Sequence, residues 1–306
     1  MLEQVLSVMG GRTLERWLAL ALQPMVFALC CAGAVLWSDG DLDRAQAVTA
    51  WLEKAGTPVT VLVTIATLLG LAGSGLAALA LAVPLLRFLH GTGPLWRLGG
   101  HTLARASGRR AEKVDRQWQL VYPLVMVRGA DPRDVSRYQR LERARRRRPL
   151  DPAHASPTRL GNIARASERR IADRYGLDAV VLWPSMSRVL PEAVVLEAGQ
   201  TRAALDQAAA AVLWAVAFAA SMWAFTWWAI PLGLLVVPIV VYGVLPGRAR
   251  RFGTVLEAAF AVHRGELYRT LRLPLPASPI DERAAGQALT SYVLRGSDDP
   301  TFRFAP

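Results

Sequence analysis

The residues with the most obvious chemical capacity are four consecutive arginines, Arg145, Arg146, Arg147 and Arg148, which close a basic stretch that begins at Arg133. Four guanidinium groups beside a bilayer attract anionic headgroups, at about 1 kcal/mol per residue near the surface. The same run also reads as a solvated charge block that only fixes the orientation of the chain. Nucleic acid would feel the same charge. However, no aromatic residues interleave with these bases and no binding module is recognisable, so anionic lipid is the expected contact and nucleic acid is not.

The other candidates are weaker. Thr60, Thr64 and Thr67 form a hydroxyl stripe, with Gln23 in another apolar block, and such a stripe lines a water-filled path in some membrane proteins. More commonly these hydroxyls bond back to carbonyls of their own helix. Arg159, Asn162, Glu168, Arg170 and Asp173, with Asp178 beyond, mark one polar helix face on which Glu168 and Asp178 could serve an enzyme at a membrane surface. Their spacing specifies no reaction, and salt bridging explains them as well. His90, His101, His154 and His263 stand far apart and fall in no HExxH or CxxC pattern, so no metal site is expected. The triplets Gly73-Ser74-Gly75 and Gly91-Thr92-Gly93 lack the spacing and the lysine of a phosphate loop. Adjacent Cys30 and Cys31 diverge on a helix and are expected as inert thiols, not a disulfide. No catalytic residue and no cofactor is expected.

These residues are held by elements whose lengths are set by a bilayer, which takes about 20 residues of helix to cross. Trp17–Trp37 is uncharged, with tryptophan at each end, as suits the headgroup zones. Pro58–Leu86 is also uncharged, with Pro84 as a bending point before Arg87. Ala208–Pro246 contains no charge in 39 residues, about 58 Å of helix, which is too long for one span and right for two. Its turn is expected near Trp227, Trp228 and Pro231. The fold class is therefore an all-α integral membrane protein with four transmembrane helices in two hairpins and a mainly helical cytoplasmic domain. The division is 1–87 for the N-terminal segment and first hairpin (spans near 17–37 and 58–86), 88–207 for the basic domain, 208–247 for the second hairpin and 248–306 for a C-terminal tail.

Orientation follows from charge. Residues 88–207 hold 22 bases against 12 acids, whereas the short 38–57 loop is net acidic. Arginine flanking spans is retained inside, so both termini and the basic domain are expected in the cytoplasm, with the chain in the cell (inner) membrane. Within the second span Ala66, Gly70, Ser74, Ala78 and Ala82 recur every fourth residue. That small-residue ridge lets another helix approach closely, either from a second copy or from the same chain.

In the basic domain, Asp134–Arg148 is polar on nearly every face and is not expected in a core. Leu150–Pro157 reads as a linker. Ser156 as N-cap, Pro157 in the first turn and Gly176 as C-cap delimit a helix, with Leu160, Ile163, Ala164, Ile171 and Tyr175 on its apolar side. Arg169 and Asp173 are spaced to pair. Leu177–Leu196 alternates apolar patches with prolines, and is expected either to lie on the membrane surface or to cover that helix.

The strings Pro157-Thr158-Arg159-Leu160-Gly161-Asn162-Ile163, Arg174-Tyr175-Gly176-Leu177-Asp178 and Leu182-Trp183-Pro184 resemble a signature of bacterial multi-pass membrane proteins without an assigned activity. Leu267-Tyr268-Arg269, Leu273-Pro274-Leu275-Pro276 and Asp281-Glu282-Arg283 resemble the same group. The resemblance implies a topology and a cytoplasmic domain. It marks Arg159, Asn162, Tyr175 and Trp183 without giving them a role. The expected function is a non-enzymatic membrane scaffold or assembly component that meets anionic lipid or a membrane partner and self-associates. An oligomeric channel or transporter is the alternative, and a membrane-surface enzyme comes third.

Overall fold

A computed structural model describes residues 22–35, 43–127, 130–223, 225–296 and 304. All of its elements are helices, with no strand among the described residues. The chain divides into two compact units, one formed by Met1–Leu86 with Asp206–Val244, the other by Arg87–Leu205 with Leu245–Pro306. The first is called here the apolar unit and the second the basic unit.

The apolar unit contains α1 (Leu22–Val35) and most of α2 (Asp43–Leu89). It also holds the later part of α7 (Glu192–Met222), and α8 (Ala229–Pro238) with the π-helical turn Ile239–Val244. Three helical stretches are long and apolar enough to cross a membrane: Glu53–Arg97, Glu192–Met222 and Ala229–Thr270. Leu22–Val35 is apolar but shorter, and the remainder of the expected 17–37 span lies outside the described residues. The expected 38–57 loop is helical from Asp43 and breaks only at Gly56, where φ is +79° just before Pro58. The turn between α7 and α8 includes Trp223 and residues 225–228, with the Trp227 and Trp228 rings stacked at 4.0 Å. Helices α7 and α8 approach closely: a Cβ on Gly233 would stand 2.7 Å from Ala215 O and from Ala219 Cβ. Backbone approach through small residues is how helices associate where no hydrophobic effect operates between them.

The basic unit contains α3 (Gly100–Val125), α4 (Pro132–Arg145), α5 (Arg159–Tyr175), α6 (Ala179–Val189), α9 (Leu245–Thr270) and α10 (Pro279–Arg295). It also takes the first part of α7. Its core joins Ile171 of α5, Leu182 and Met186 of α6, Leu256, Phe260 and Leu267 of α9 and Leu289 of α10. The stretches expected as a central domain and a C-terminal tail thus share one core. Of the two placements expected for Leu177–Leu196, the covering one is found within this unit. Asp178 caps α6 by accepting from Val180 N and Val181 N, and Leu182 and Met186 are fully buried. Gly176 ends α5 at φ +70°, a left-handed conformation glycine adopts at no steric cost. Helix α10 crosses at that cap. A Cβ on Gly176 would overlap Arg283 O, and one on Gly286 would overlap Tyr175 O.

Candidate functional site

In the basic unit, α3, α4, α5 and α9 bring arginines together, and each guanidinium is placed by its helix. Asp131 caps α4 by accepting from Arg133 N, and no residue of α4 is buried, as its all-round polarity implied. Helix α4 is held to α3 by Arg145. Its Nε donates to Asp115 Oδ1 at 2.7 Å and its guanidinium lies 4.1 Å above the Trp118 ring, which itself stacks on Tyr122. Arg146 pairs with Glu142 at 2.8 Å one turn back. The four arginines therefore do not act alike, because successive residues near a helix end point about 100° apart. Two are neutralised within the unit. Arg147 and Arg148 have no carboxylate partner among the described residues. Burial pushes Arg147 below the usual arginine value, aided by the nearby charges of Arg250, Arg159, Arg143 and Arg148. Arg148 is lowered by burial and by Arg110 and Arg159.

Arg170 ties these parts together. Its Nε donates to both oxygens of Glu257 at 3.0 Å, its Nη2 donates to Glu257 Oε1 at 2.6 Å, and its Nη1 donates to Arg146 O at 2.7 Å. One side chain of α5 thus fixes the C-terminal end of α4 relative to α9. Beneath it Ser167 faces Gly253, where a Cβ would stand 2.6 Å from Ser167 Oγ. A cavity of about 530 Å³ opens there, lined by Arg143, Arg147, Arg174 and Arg250 together with the Arg170–Glu257 pair. A second, of about 410 Å³, shares Arg147 and adds Arg110, Arg148 and Arg159.

The residues of the 157–184 signature have structural work. Asn162 is buried, accepts from Ser156 N at 2.9 Å, and donates to Ser107 Oγ, Ser156 O and Thr158 O at 2.9, 2.8 and 2.6 Å. Ser156 Oγ donates to His90 O at 2.7 Å. Gly161 lies so close to that carbonyl that a Cβ would overlap it, and a Cβ on Gly91 would stand 2.5 Å from Pro157 Cγ. This knot fastens the turn after α2 to the start of α5. It corrects two expectations. The N-cap of α5 is Thr158, which accepts from Gly161 N, and not Ser156, whose hydroxyl is used on His90. The 150–157 segment is no free linker, since it includes the helical turn Pro152–His154 and the buried Ala155 and Ser156. Tyr175 lies under the Arg264 guanidinium at 4.5 Å, and Trp183 packs against the core. Arg159 lines the second cavity.

Other expected pairings resolve differently. Arg169 contacts His154 Nε2 and not Asp173. Thr60, Thr64 and Thr67 donate to Gly56 O, Thr60 O and Val63 O of their own helix, and Gln23 Nε2 donates to Gln207 O. The small-residue ridge divides: Ala78 and Ala82 are buried and Ser74 is half-buried, whereas Ala66 and Gly70 are exposed within this chain. Burial and the Asp178 charge raise the Glu168 carboxyl above its usual range, opposed by Arg165. No group of three or more His, Cys, Asp or Glu is set to hold a metal ion among the described residues.

The close contact at Gly233 with Ala215 and Ala219 was missed from sequence. Its signal, small residues spaced four apart on α7, was present within the long Ala208–Pro246 run. The role of Arg170 was likewise hidden, because nothing local links it to Glu257, 87 residues away. No family model matches the chain, and neither a curated protein nor a solved structure is similar to it.

Proposed function

We propose that this protein is a non-enzymatic membrane scaffold or assembly component that crosses the inner membrane four times in two hairpins, with both termini and the basic unit in the cytoplasm. Its arginine-rich surface meets anionic lipid headgroups or an acidic face of a membrane partner. The observation that carries this reading is the state of Arg147 and Arg148. A chain with three span-length apolar helices keeps these two cations without carboxylate partners while neutralising their neighbours Arg145 and Arg146. Adjacent like charges cost energy, and an external anion removes that cost. Hydroxyls of the Thr stripe bond to their own helix, which favours a scaffold over a channel.

Two measurements on the full chain test this. In detergent, purified protein should retain anionic lipid over neutral lipid, with retention falling steeply as salt rises, since exposed charges are screened within about 8 Å at physiological ionic strength. Arg147→Gln with Arg148→Gln should remove most of the preference, and equal retention of neutral lipid would defeat the reading. For orientation, a single cysteine at position 147 in a chain lacking Cys30 and Cys31 should resist membrane-impermeant labelling of intact cells. A cysteine at position 41 should react. The reverse pattern would overturn the topology.

A further inference from the structure

We propose that the cavity between α4, α5 and α9 is a binding site for a ligand bearing two linked or neighbouring phosphates, held by Arg147 and Arg250 with Arg143 and Arg174 around them. This deepens the reading above, on which it rests for the anionic class of the ligand, by naming a particular pocket and a phosphate count. The cavity, at about 530 Å³, has the size of a small-ligand site. Among its lining residues the Arg170–Glu257 and Arg146–Glu142 pairs cancel their own charge. Arg143, Arg147, Arg174 and Arg250 pair with no carboxylate among the described residues, leaving four positive charges around one space. A phosphate group carries about −1.5 to −2 at neutral pH, so two of them match four guanidinium groups and one does not.

The donor set suits phosphate in kind as well as in charge. Guanidinium forks match two phosphate oxygens at once. The hydroxyls at the wall are already committed as donors, Ser167 to Ala164 O at 2.9 Å and Thr254 to Arg250 O at 3.0 Å, so recognition falls to the arginines. No aromatic side chain lines the cavity, so it offers a nucleobase no stacking platform. The site is pre-organised, because Arg170 holds Glu257 of α9 and the Arg146 carbonyl at the end of α4 before any ligand arrives. Burial is the main cause of the lowered Arg147 value, and the charges of Arg250, Arg159, Arg143 and Arg148 add to it; a bound anion would offset that added repulsion.

Calorimetry on the full chain in detergent would compare inorganic phosphate, pyrophosphate, and a lipid with a bisphosphate headgroup in nanodiscs. Pyrophosphate or the bisphosphate lipid should bind about ten-fold or more tighter than its single-phosphate counterpart. Arg147→Gln and Arg250→Gln should each lose about ten-fold or more, the range of a charged hydrogen-bonding partner. Arg133→Gln, on exposed α4 outside the cavity, should bind like the parent, and far-UV dichroism would verify that each variant is folded. Binding by pyrophosphate identifies a soluble source, and binding only by the bisphosphate lipid identifies the bilayer; either supports the site. Equal affinity for one and two phosphates, or equal loss in Arg133→Gln, would reduce the cavity to diffuse charge and overturn it. Loss of general anionic-lipid preference with pyrophosphate binding intact would instead defeat the membrane reading and leave this site standing.

Discussion

Replacing Asn162 with alanine should unfasten the start of α5 from the turn after α2. The side chain accepts one hydrogen bond and donates to three acceptors with two hydrogens, so one donation is shared. After truncation Thr158 O keeps the Asn162 backbone N–H at 3.1 Å, and the half-buried Ser107 hydroxyl can turn to water. Ser156 cannot escape in this way, because the residue is fully buried and both its N–H and its C=O lose the partner supplied by Asn162. A buried polar group left without a partner costs about 1–3 kcal/mol, so two such groups set the loss at about 3 kcal/mol. Hydrogen exchange on detergent-solubilised protein should then show protection of the amides of Ser156 and of residues 158–163 reduced by roughly two powers of ten, at 1.4 kcal/mol per decade. Asn162→Asp should not rescue, since it keeps an acceptor for Ser156 N but faces two carbonyl oxygens with another acceptor. Protection within a factor of about five of the parent in Asn162→Ala, a change under about 1 kcal/mol, would refute the reasoning.

Other outcomes follow from particular contacts. Gly233→Leu should destabilise the α7–α8 hairpin strongly, because even a Cβ there meets Ala215 O and Ala219 Cβ at 2.7 Å, and thermal aggregation in detergent should fall to lower temperature. Gly70→Leu has open space within the chain, so its thermal midpoint should stay at the parent value; a shift in oligomer size on native gels would then report a contact with a second copy through the ridge. Gly253→Ala should weaken the packing of α5 on α9 by about 1–3 kcal/mol, since the added methyl stands 2.6 Å from Ser167 Oγ, and a loss of thermal midpoint would measure it. Glu168 has a folded-state titration raised above its unfolded value. Its contribution to stability is therefore present at acid pH and lost as pH rises through the raised value. Glu168→Gln should accordingly raise the thermal midpoint at pH 7–8 and change it little near pH 4; a gain confined to acid pH would contradict this.

The apolar stretches were legible because their information is local: span length follows from the rise per residue, and uncharged runs such as Ala208–Pro246 appear directly in the chain. The C-cap at Gly176 is local as well and stood where residue type suggested, whereas the caps at Asp131 and Asp178 are of a residue type that permits capping but were not singled out. Ser156 misled because it is a good capping residue recruited by a distant carbonyl, that of His90. What could not be read were approaches between helices remote in sequence. Gly253 against Ser167 and Gly286 against Tyr175 carry no local mark, since a glycine in a helix looks the same whether it faces solvent or a backbone. The candidate site was half legible for the same reason. The abundance of arginine was plain, but which guanidinium groups are neutralised depends on Asp115, Glu142 and Glu257, and two of those three lie on other helices.

The interleaved assembly of the basic unit sets the order of events during biosynthesis. Its two contributing stretches, Arg87–Leu205 and Leu245–Pro306, are separated by the residues of the other unit. Leu182 and Met186 wait for Phe260 and Leu267, and the cap of α5 waits for Gly286. At ribosomal speeds of roughly 5–20 residues per second, about a hundred residues between α6 and α10 take roughly 5–20 s. For that interval a newly made α5–α6 pair presents a bare apolar face. A chain ending before residue 245 would present it permanently.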